Sequence, residues 1–351
     1  MIGGTHFWGH ADIYIAIPLT YPTYEIENQS VTFLRGVETA FKYYPWRIEN
    51  KKIRPFIGMS IAPFYYQQDN NDQEFGDGPG LSHTSIPLLT GFTYNVNNHL
   101  IELGATWNYR NEQDYFISRI QEISVETPPI YLNLSYRFMI ETTLSAEKNW
   151  ESGQTKKKTE ELASTGDLNS FYIGGGLSSA FWLKKSSYNQ NQRPYTEGYG
   201  ISIMPDFTLG YYFHNPDLNI GVAYRSYGTS VNTYGTEQFV RRRSMALEAT
   251  KYIGDYPGFA AFVGPAISYE SLLFEETFEN QQTQDLTDNK FAYGLTFGWD
   301  IRPNRLQTWI LRTNLRWFPN LELDIDNNSS ISFDNIEFNF IQFILYPGRI
   351  K

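Results

Sequence analysis

The sequence predicts an all-β chain folded as a closed, antiparallel, up-and-down transmembrane β-barrel of about fourteen strands. Three observations carry that expectation. Apolar and polar residues alternate over long runs, as in Ile86-Pro87-Leu88-Leu89-Thr90-Gly91-Phe92-Thr93-Tyr94 and again in Ile101-Glu102-Leu103-Gly104-Ala105-Thr106-Trp107-Asn108-Tyr109. A period of two gives a ribbon with one apolar and one polar face, and segments of this length suit a barrel with lipid outside and water inside. Aromatic residues make up 17% of the chain, with 26 Tyr, 25 Phe and 8 Trp. Tyr and Trp pair an apolar body with a polar tip and gather where lipid meets water. Finally, short turns alternate with long polar loops.

Taken in order, the alternation places strands near 10–20, 31–45, 53–68, 84–95, 98–110 and 128–142 in the first half. The second half gives 168–183, 198–213, 217–229, 237–252, 258–275, 289–302, 306–318 and 335–347. An even count fits single-chain bacterial barrels. Helical periodicity is confined to a few residues from Thr159 to Ala163. The whole chain, 1–351, is read as a single barrel domain.

Short connections are built from turn formers: Asn95-Val96-Asn97-Asn98, His214-Asn215-Pro216-Asp217, Gly254-Asp255-Tyr256-Pro257-Gly258 and Arg302-Pro303-Asn304-Arg305. The intervening connections, 69–83, 111–127, 276–288 and 319–335, are longer and polar. Turns then face the periplasm with both termini, and loops face outward. Charge follows the same division: the loops are acidic, and the turn end carries Arg47, Lys51, Lys52, Arg54, Arg302, Arg305, Arg349 and Lys351. Segment 143–167 breaks the pattern. It falls on the turn side yet is long and charged, through Lys156-Lys157-Lys158-Thr159-Glu160-Glu161. It is either a periplasmic excursion or a sign that the strand count is off by a pair.

Composition excludes several classes. The net charge is −10, which argues against nucleic acid. Mean hydropathy is −0.43 and no run of eighteen apolar residues occurs, so a membrane helix is not expected. There is no cysteine, hence no disulfide, thiolate metal site or cysteine nucleophile. Met1-Ile2-Gly3-Gly4 has neither the basic start nor the apolar core of a signal peptide, and the leader of an exported protein is taken as removed.

Alternation also assigns faces. Ile13, Ile15, Ile17, Val37, Phe41, Tyr43, Ile130, Leu132, Leu134, Phe138, Phe291, Tyr293, Leu295, Phe297 and Trp299 are expected against lipid. The candidate lumen residues are Glu38, Lys42, Glu102, Asn108, Arg110, Asn133, Arg137, Asp206, Arg225, Glu248, Asp300, Arg312, Asn314 and Arg316. A basic residue at the bilayer midplane costs about 2–4 kcal/mol, so these must face water or one another. They either set the selectivity of a polar pore or fill the barrel as paired networks. Inward rings such as Tyr44, Phe56, Tyr66, Tyr131 and Tyr212 line a path or lie across inward glycines.

Other motifs are weak. His83-Thr84-Ser85 has the residue types of a membrane hydrolase without the surrounding context, and His6 and His10 would stand about 13 Å apart on a strand. No enzymatic activity and no cofactor is expected. Asp69, Asp72 and Glu74, and separately Asp324 and Asp326, are oxygen-rich and could hold Ca²⁺, but neither group has EF-hand spacing. Arg241-Arg242-Arg243 could meet anionic head groups or an acidic lumen. The hairpin from Glu38 through Tyr44 to Arg54-Pro55-Phe56-Ile57-Gly58 has a faint echo from Glu248 through Tyr252 to Pro257-Gly258-Phe259. We read it as a shared way of turning a barrel hairpin rather than a duplication.

Phe41-Lys42-Tyr43-Tyr44-Pro45-Trp46, followed by Arg54-Pro55-Phe56-Ile57-Gly58-Met59-Ser60-Ile61-Ala62-Pro63, resembles barrel hairpins of outer-membrane proteins of Bacteroidetes type. The last strand, Phe338-Asn339-Phe340-Ile341-Gln342-Phe343-Ile344-Leu345-Tyr346, looks like a terminal strand read by the barrel-assembly machinery, although Pro347-Gly348-Arg349-Ile350-Lys351 follow its aromatic end. The resemblance implies an outer membrane of a Gram-negative bacterium, with lipid, the assembly machinery and other outer-membrane subunits as partners. The leading functional expectation is a porin-like channel for small polar or charged solutes. The alternative is an accessory barrel in a larger secretion or assembly complex.

Overall fold

The computed structural model describes residues 2–6, 9–16, 23–26, 29–35, 38–69, 80–116, 118–126, 129–139, 154–196, 198–200, 202–253, 259–301 and 308–350. Strands dominate, as the period-two pattern requires. They do not share one cylinder. The chain divides into two compact units, one of residues 1–141 with 193–198 and 231–236, the other of 142–192, 199–230 and 237–351. The expectation of a single fourteen-stranded closure is therefore corrected: eight strands of the second half close on themselves, and the first-half strands form a separate curved sheet.

In the first unit the sheet runs β1 (Ile2–His6), β2 (Ala11–Ala16), β5 (Glu38–Tyr43), β6 (Ile53–Asp69), β8 (Leu88–Val96), β9 (His99–Trp107) and β12 (Ile130–Phe138), each antiparallel to the next. Beyond the membrane-length part, β3 (Thr23–Ile26) pairs with β4 (Gln29–Arg35), while β4 and β7 (Gly80–Ser85) pair with the far end of β6. Connection 111–127 carries its own hairpin, β10 (Glu112–Phe116) with β11 (Glu122–Glu126).

In the second unit β13 (Ser170–Trp182), β14 (Ser202–Phe213), β15 (Leu218–Thr233), β16 (Thr236–Ile253), β17 (Phe259–Phe278), β18 (Gln281–Ile301), β19 (Trp309–Trp317) and β22 (Asn335–Leu345) form a closed barrel. Closure runs through β13, which pairs with β14 on one side and β22 on the other. A bulge in β22 near Phe340 is held by the Thr313 hydroxyl, which donates to the Phe340 carbonyl at 2.6 Å. It shifts the parity of the strand, so that Asn335, Glu337 and Asn339, then Gln342 and Ile344, all point inward and are buried.

Three connections differ from their expected character. Segment 276–288 is not a loop: β17 and β18 pair as far as Phe278 and Gln281, and only Glu279 and Asn280, at φ 50° and 64°, make the turn. Two left-handed residues give the turn twist that suits a two-residue hairpin. Within 143–167 lies a helix, α1 (Gln154–Thr165), longer than the few residues with helical spacing suggested. Connection 319–335 contains the hairpin of β20 (Glu322–Asp326) and β21 (Ser329–Ser332).

The outer surface is apolar. Phe41, Tyr43, Ile130, Leu132, Leu134, Phe138, Phe291, Tyr293, Leu295 and Phe297 are all exposed, as read from the sequence. Trp299 and Ile15 are half-buried, Ile13 is buried, and Ile17 and Val37 lie outside the described residues. On β18 the outward residues are apolar from Phe291 to Ile301 and polar or charged before that, at Asp285, Thr287 and Asn289. Ten steps of about 3.4 Å, tilted by about 40°, span roughly 26 Å, the height of a barrel's lipid-facing band.

Both units place aromatic rings across glycines inside the sheet. Phe56 covers Gly91 and Gly104, which face each other across β8 and β9, and Tyr172 lies over Gly210 and Gly221. A Cβ on Gly298 would come within 2.6 Å of the Phe262 ring. Gly298→Val should therefore cost about 1–3 kcal/mol through overpacking. The check is the urea midpoint of the protein in detergent micelles, with Val263→Ala on the exposed outer face as the unperturbed control.

Candidate functional site

Closing eight strands leaves an interior just wide enough for side chains to fill. The second unit fills it in layers. At the turn end Tyr172, Tyr212, Tyr252, Phe262, Ile310, Ile344 and Tyr346 form an apolar floor. Tyr212 and Phe262 each meet Tyr252 edge-on, with centroids 5.8 and 5.6 Å apart. Arg349, just past β22, folds beneath this layer. Its guanidinium lies 3.8 Å from the Tyr346 ring centroid and donates to the Leu168 carbonyl and Ser170 Oγ.

Charged groups occupy the middle. Arg312 holds Asp300 in a fork, with Nε to Oδ1 at 2.8 Å and Nη2 to Oδ2 at 3.0 Å, and also donates to the Tyr252 hydroxyl. Arg316 bridges Asp206 and Glu248. Asp206 takes further hydrogen bonds from Ser178 at 2.8 Å and Asn339 at 3.0 Å. Arg225 reaches Glu337 at 2.6 Å, and Arg242 joins Glu270 in a second fork, both bonds 2.8 Å, while also touching Glu337 at 3.1 Å. Four guanidiniums thus meet five carboxylates with almost no water access. Such charges persist in a low-dielectric interior only because each is paired.

Trp182 then packs against Tyr199, Tyr227 and Phe333 with centroid distances of 4.9, 6.4 and 5.6 Å. Above them sits α2 (Ser187–Gln192), a short helix across the loop-end mouth. The Tyr188 hydroxyl donates to buried Glu276 at 2.9 Å, and Asn189 and Gln238 exchange hydrogen bonds through their amides. The β20–β21 hairpin docks on α2, with the Ser330 and Ser332 amides donating to the hydroxyls of Ser187 and Ser186. Lys184 fastens the hairpin through Glu322 at 2.6 Å.

The first unit has a smaller network. Lys42 pairs with Glu102, and Arg137 spans Glu102 at 2.6 Å and Asp12 at 3.0 Å. The Tyr44 hydroxyl donates to Asp12 at 2.9 Å. Lys42 Nζ lies 4.6 and 4.7 Å from the centroids of Tyr14 and Phe56. A cavity of about 330 Å³ adjoins it, lined by Tyr14, Lys42, Phe56, Glu102, Asn133 and Ser135 among others.

Of the lumen residues expected from the sequence, Glu38, Lys42, Glu102, Asn108, Asp206, Arg225, Asp300, Arg312, Asn314 and Arg316 are buried, and Asn133, Arg137 and Glu248 half-buried. Arg110 is a correction: it lies beyond the end of β9 and is exposed. Arg54 is another, since it is no rim charge but is buried over the Tyr44 ring at 4.2 Å and donates to the Gly9 carbonyl. The sequence reading missed Asp12, Glu270 and Glu337, and offered Arg242 only within the triplet Arg241-Arg242-Arg243 as one that could meet an acidic lumen. Parity marks Glu270, two and four residues from inward Ser268 and Ala266. It also separates buried Arg242 from the less buried Arg241 and Arg243 beside it. The β22 bulge hid Glu337.

Of the calcium candidates, Asp72 and Glu74 lie outside the described residues, as does the Asp69 side chain. Asp326 closes its own turn, accepting from the Asn328 amide and the Ser329 hydroxyl at 2.8 Å. Among the described residues no three acidic or imidazole groups gather as a metal site. His10 contacts the Tyr44 carbonyl at 2.8 Å, and the side chains of His6 and His83 are outside the described set.

The solved structures to which the chain is similar include two outer-membrane β-barrel proteins. One is Neisserial surface protein A, at TM-score 0.34 and 14% identity over 50% of this chain and 96% of that one. The other is the attachment invasion locus protein Ail of Yersinia pestis, in complex with the heparin analogue sucrose octasulfate. Its match has TM-score 0.32 and 9% identity over 51% of this chain and 97% of that one. No family model and no curated protein matches the sequence.

Arg316→Met leaves Asp206 buried without its paired cation, and Glu248 with only the longer contact to Arg225 at 3.4 Å, and should cost about 3–5 kcal/mol in urea unfolding. Adding Asp206→Asn should restore part of the loss. At the loop end the hydrogen bond from Lys184, seconded by Ser330, holds the Glu322 carboxyl below the usual carboxylate range. A carboxyl lowered in the folded state stabilises above its ordinary value and loses that contribution as pH falls through the lower folded one. Hydrogen-exchange protection of the β20–β21 amides should drop between about pH 5 and about pH 3. It should stay flat over that range in Glu322→Gln.

Proposed function

We propose that this chain is an integral outer-membrane protein of a Gram-negative bacterium whose barrel is packed shut, acting as a non-enzymatic accessory or anchoring subunit rather than as a pore. The observation that carries this reading is the interior of the second unit, where floor, paired charges, aromatic layer and lid follow one another along the barrel axis. A porin needs a water column past its fixed charges, and wide barrels supply it. Here the arginines Arg225, Arg242, Arg312 and Arg316 are consumed by carboxylates instead of facing a solute path.

Membrane residence is supported by the apolar band of outward residues, from Phe171 and Leu177 around to Phe297 and Phe343. A contiguous apolar belt of this height around a barrel with a charged interior is the inverse of a soluble protein. Partners are then other outer-membrane subunits, and the aromatic terminal strand β22 supports assembly by the barrel-insertion machinery. The deciding experiment is planar-bilayer recording of the purified protein in molar KCl. A flat baseline is expected. Discrete, reproducible conductance steps would restore the porin reading.

A further inference from the structure

The first unit carries, strand by strand, the interior pattern of the second. Tyr44 faces Phe56 at 5.7 Å, and Tyr252 faces Phe262 at 5.6 Å. Two residues past each Phe comes a glycine against the preceding strand, Gly58 on Lys42 and Gly264 on Thr250. Both Phe residues stand opposite a glycine, Gly91 and Gly298. Across the next two strands the register continues through Gly104 to Asn133, and through Asn314 to Asn339. The Tyr44 amide donates to the His10 carbonyl as the Tyr252 amide does to that of Asp217. The Tyr44 hydroxyl meets Asp12, and that of Tyr252 meets Asn219. One step further, Gly3 stands opposite Tyr14 as Gly210 stands opposite Gly221. Strands β1, β2, β5, β6, β8, β9 and β12 therefore correspond to β14, β15, β16, β17, β18, β19 and β22. Only β13, the strand that closes the second barrel, lacks a counterpart among the described residues.

Geometry forbids the seven from closing alone. Six successive antiparallel pairings make β1 and β12 run the same way, so their edges cannot pair antiparallel. A second copy of the sheet inserted in the membrane in the same direction presents the same parallel match. The β12 edge has the features of a vacant position. Leu132 and Leu134 are 82% and 79% exposed. Beside it Ser135 Oγ, Arg137 Nε and Asp12 Oδ1 have no hydrogen-bond partner among the described residues. The 330 Å³ cavity runs along its inward face at Asn133 and Ser135. In lipid an unpaired strand edge is not tolerated, because each orphaned backbone group costs several kcal/mol.

We propose that the first unit is completed to an eight-stranded barrel by one further strand inserted antiparallel between β12 and β1, carried by the same polypeptide ahead of β1. Chain order is the argument for the source, because β13 directly precedes β14. Its chemistry follows from β13 as well. The inward positions are small or hydroxylated, like Gly174, Gly176 and Ser178 opposite Ile344, Gln342 and Asn339. The outward positions are apolar, like Phe171, Ile173 and Leu177. The inward face fills the cavity and offers hydroxyls to Ser135 and Arg137.

The inference rests on the membrane reading, and the test separates the two. Hydrogen exchange is followed by mass spectrometry on the 351-residue chain in lipid nanodiscs. Three versions are compared: unmodified, with Ser170–Trp182 plus a flexible linker fused ahead of Ile2, and with the same strand fused after Lys351. The β13–β22 amides should exchange slowly in all three, and fast exchange there would sink the membrane-barrel reading itself. In the unmodified chain the edge amides of β1 and β12 should be fast, and the leading fusion should slow them about a hundredfold. Slow edges without a fusion would overturn the proposal, whether the sheet closes on itself or another polypeptide fills the gap. So would protection by the trailing fusion alone, or no protection by either.

Discussion

Strand β13 is hydrogen-bonded to β14 along one edge and to β22 along the other, and the rest of the second unit follows from that ring of backbone bonds. A closed antiparallel ladder satisfies every strand edge internally, which is what permits apolar side chains to cover the outside from rim to rim. Eight strands also fix a narrow bore. Once the bore is narrow, any charge placed inside loses its water and must find a counter-charge within a few ångströms. The forks of Arg312 on Asp300 and Arg242 on Glu270 answer that demand, and Arg316 answers it twice, through Asp206 and Glu248.

These pairs are costly to assemble and costlier to break. Replacing a buried ion pair with apolar groups is often neutral, whereas deleting one partner strands the other. Their value here is better sought in geometry than in net stability. Each guanidinium links two or three strands at a set height, so the charges act as register pins inside a sheet whose outward band, apolar over much of its height, would tolerate a slip of two residues. The aromatic rings over Gly91, Gly210 and Gly298 serve the same end by steric means: a ring fits only opposite the residue without a Cβ.

Much of this was legible in the sequence, and the limits are physical. Alternation located nearly every long strand and the inward parity of Asp206, Arg225, Arg312 and Arg316. It placed Arg110 wrongly because parity continues on paper past Trp107, where the strand itself stops. It missed Glu337 because the bulge at Phe340 inserts one residue and reverses parity for the start of β22. Partner choice was not legible at all. A strand with one apolar face can pair with any other of its kind, so nothing in Ser170–Trp182 announces that it bonds to Asn335–Leu345 rather than to Ile130–Phe138. The charged, over-long connection at 143–167 was the one local sign that the strands belong to two sheets, one of them closed. The helix Gln154–Thr165 now occupies it.

The two units differ most where the register is most alike. The position of Arg312 in the second is Glu102 in the first, and that of Asp300 is Thr93, so the first network centres on Lys42, Glu102 and Arg137 instead. The frame of Tyr, Phe and Gly is retained while the charges carried on it are exchanged. That separation is expected if the aromatic-on-glycine contacts set the sheet's curvature and the ion pairs need only be mutually balanced. Curvature depends on particular shapes at particular heights, whereas balance can be met by any complementary set within reach. It follows that charges inside such a bore are free to change together but not singly, which is why Lys42 answers Glu102 in one unit while Arg312 answers Asp300 in the other.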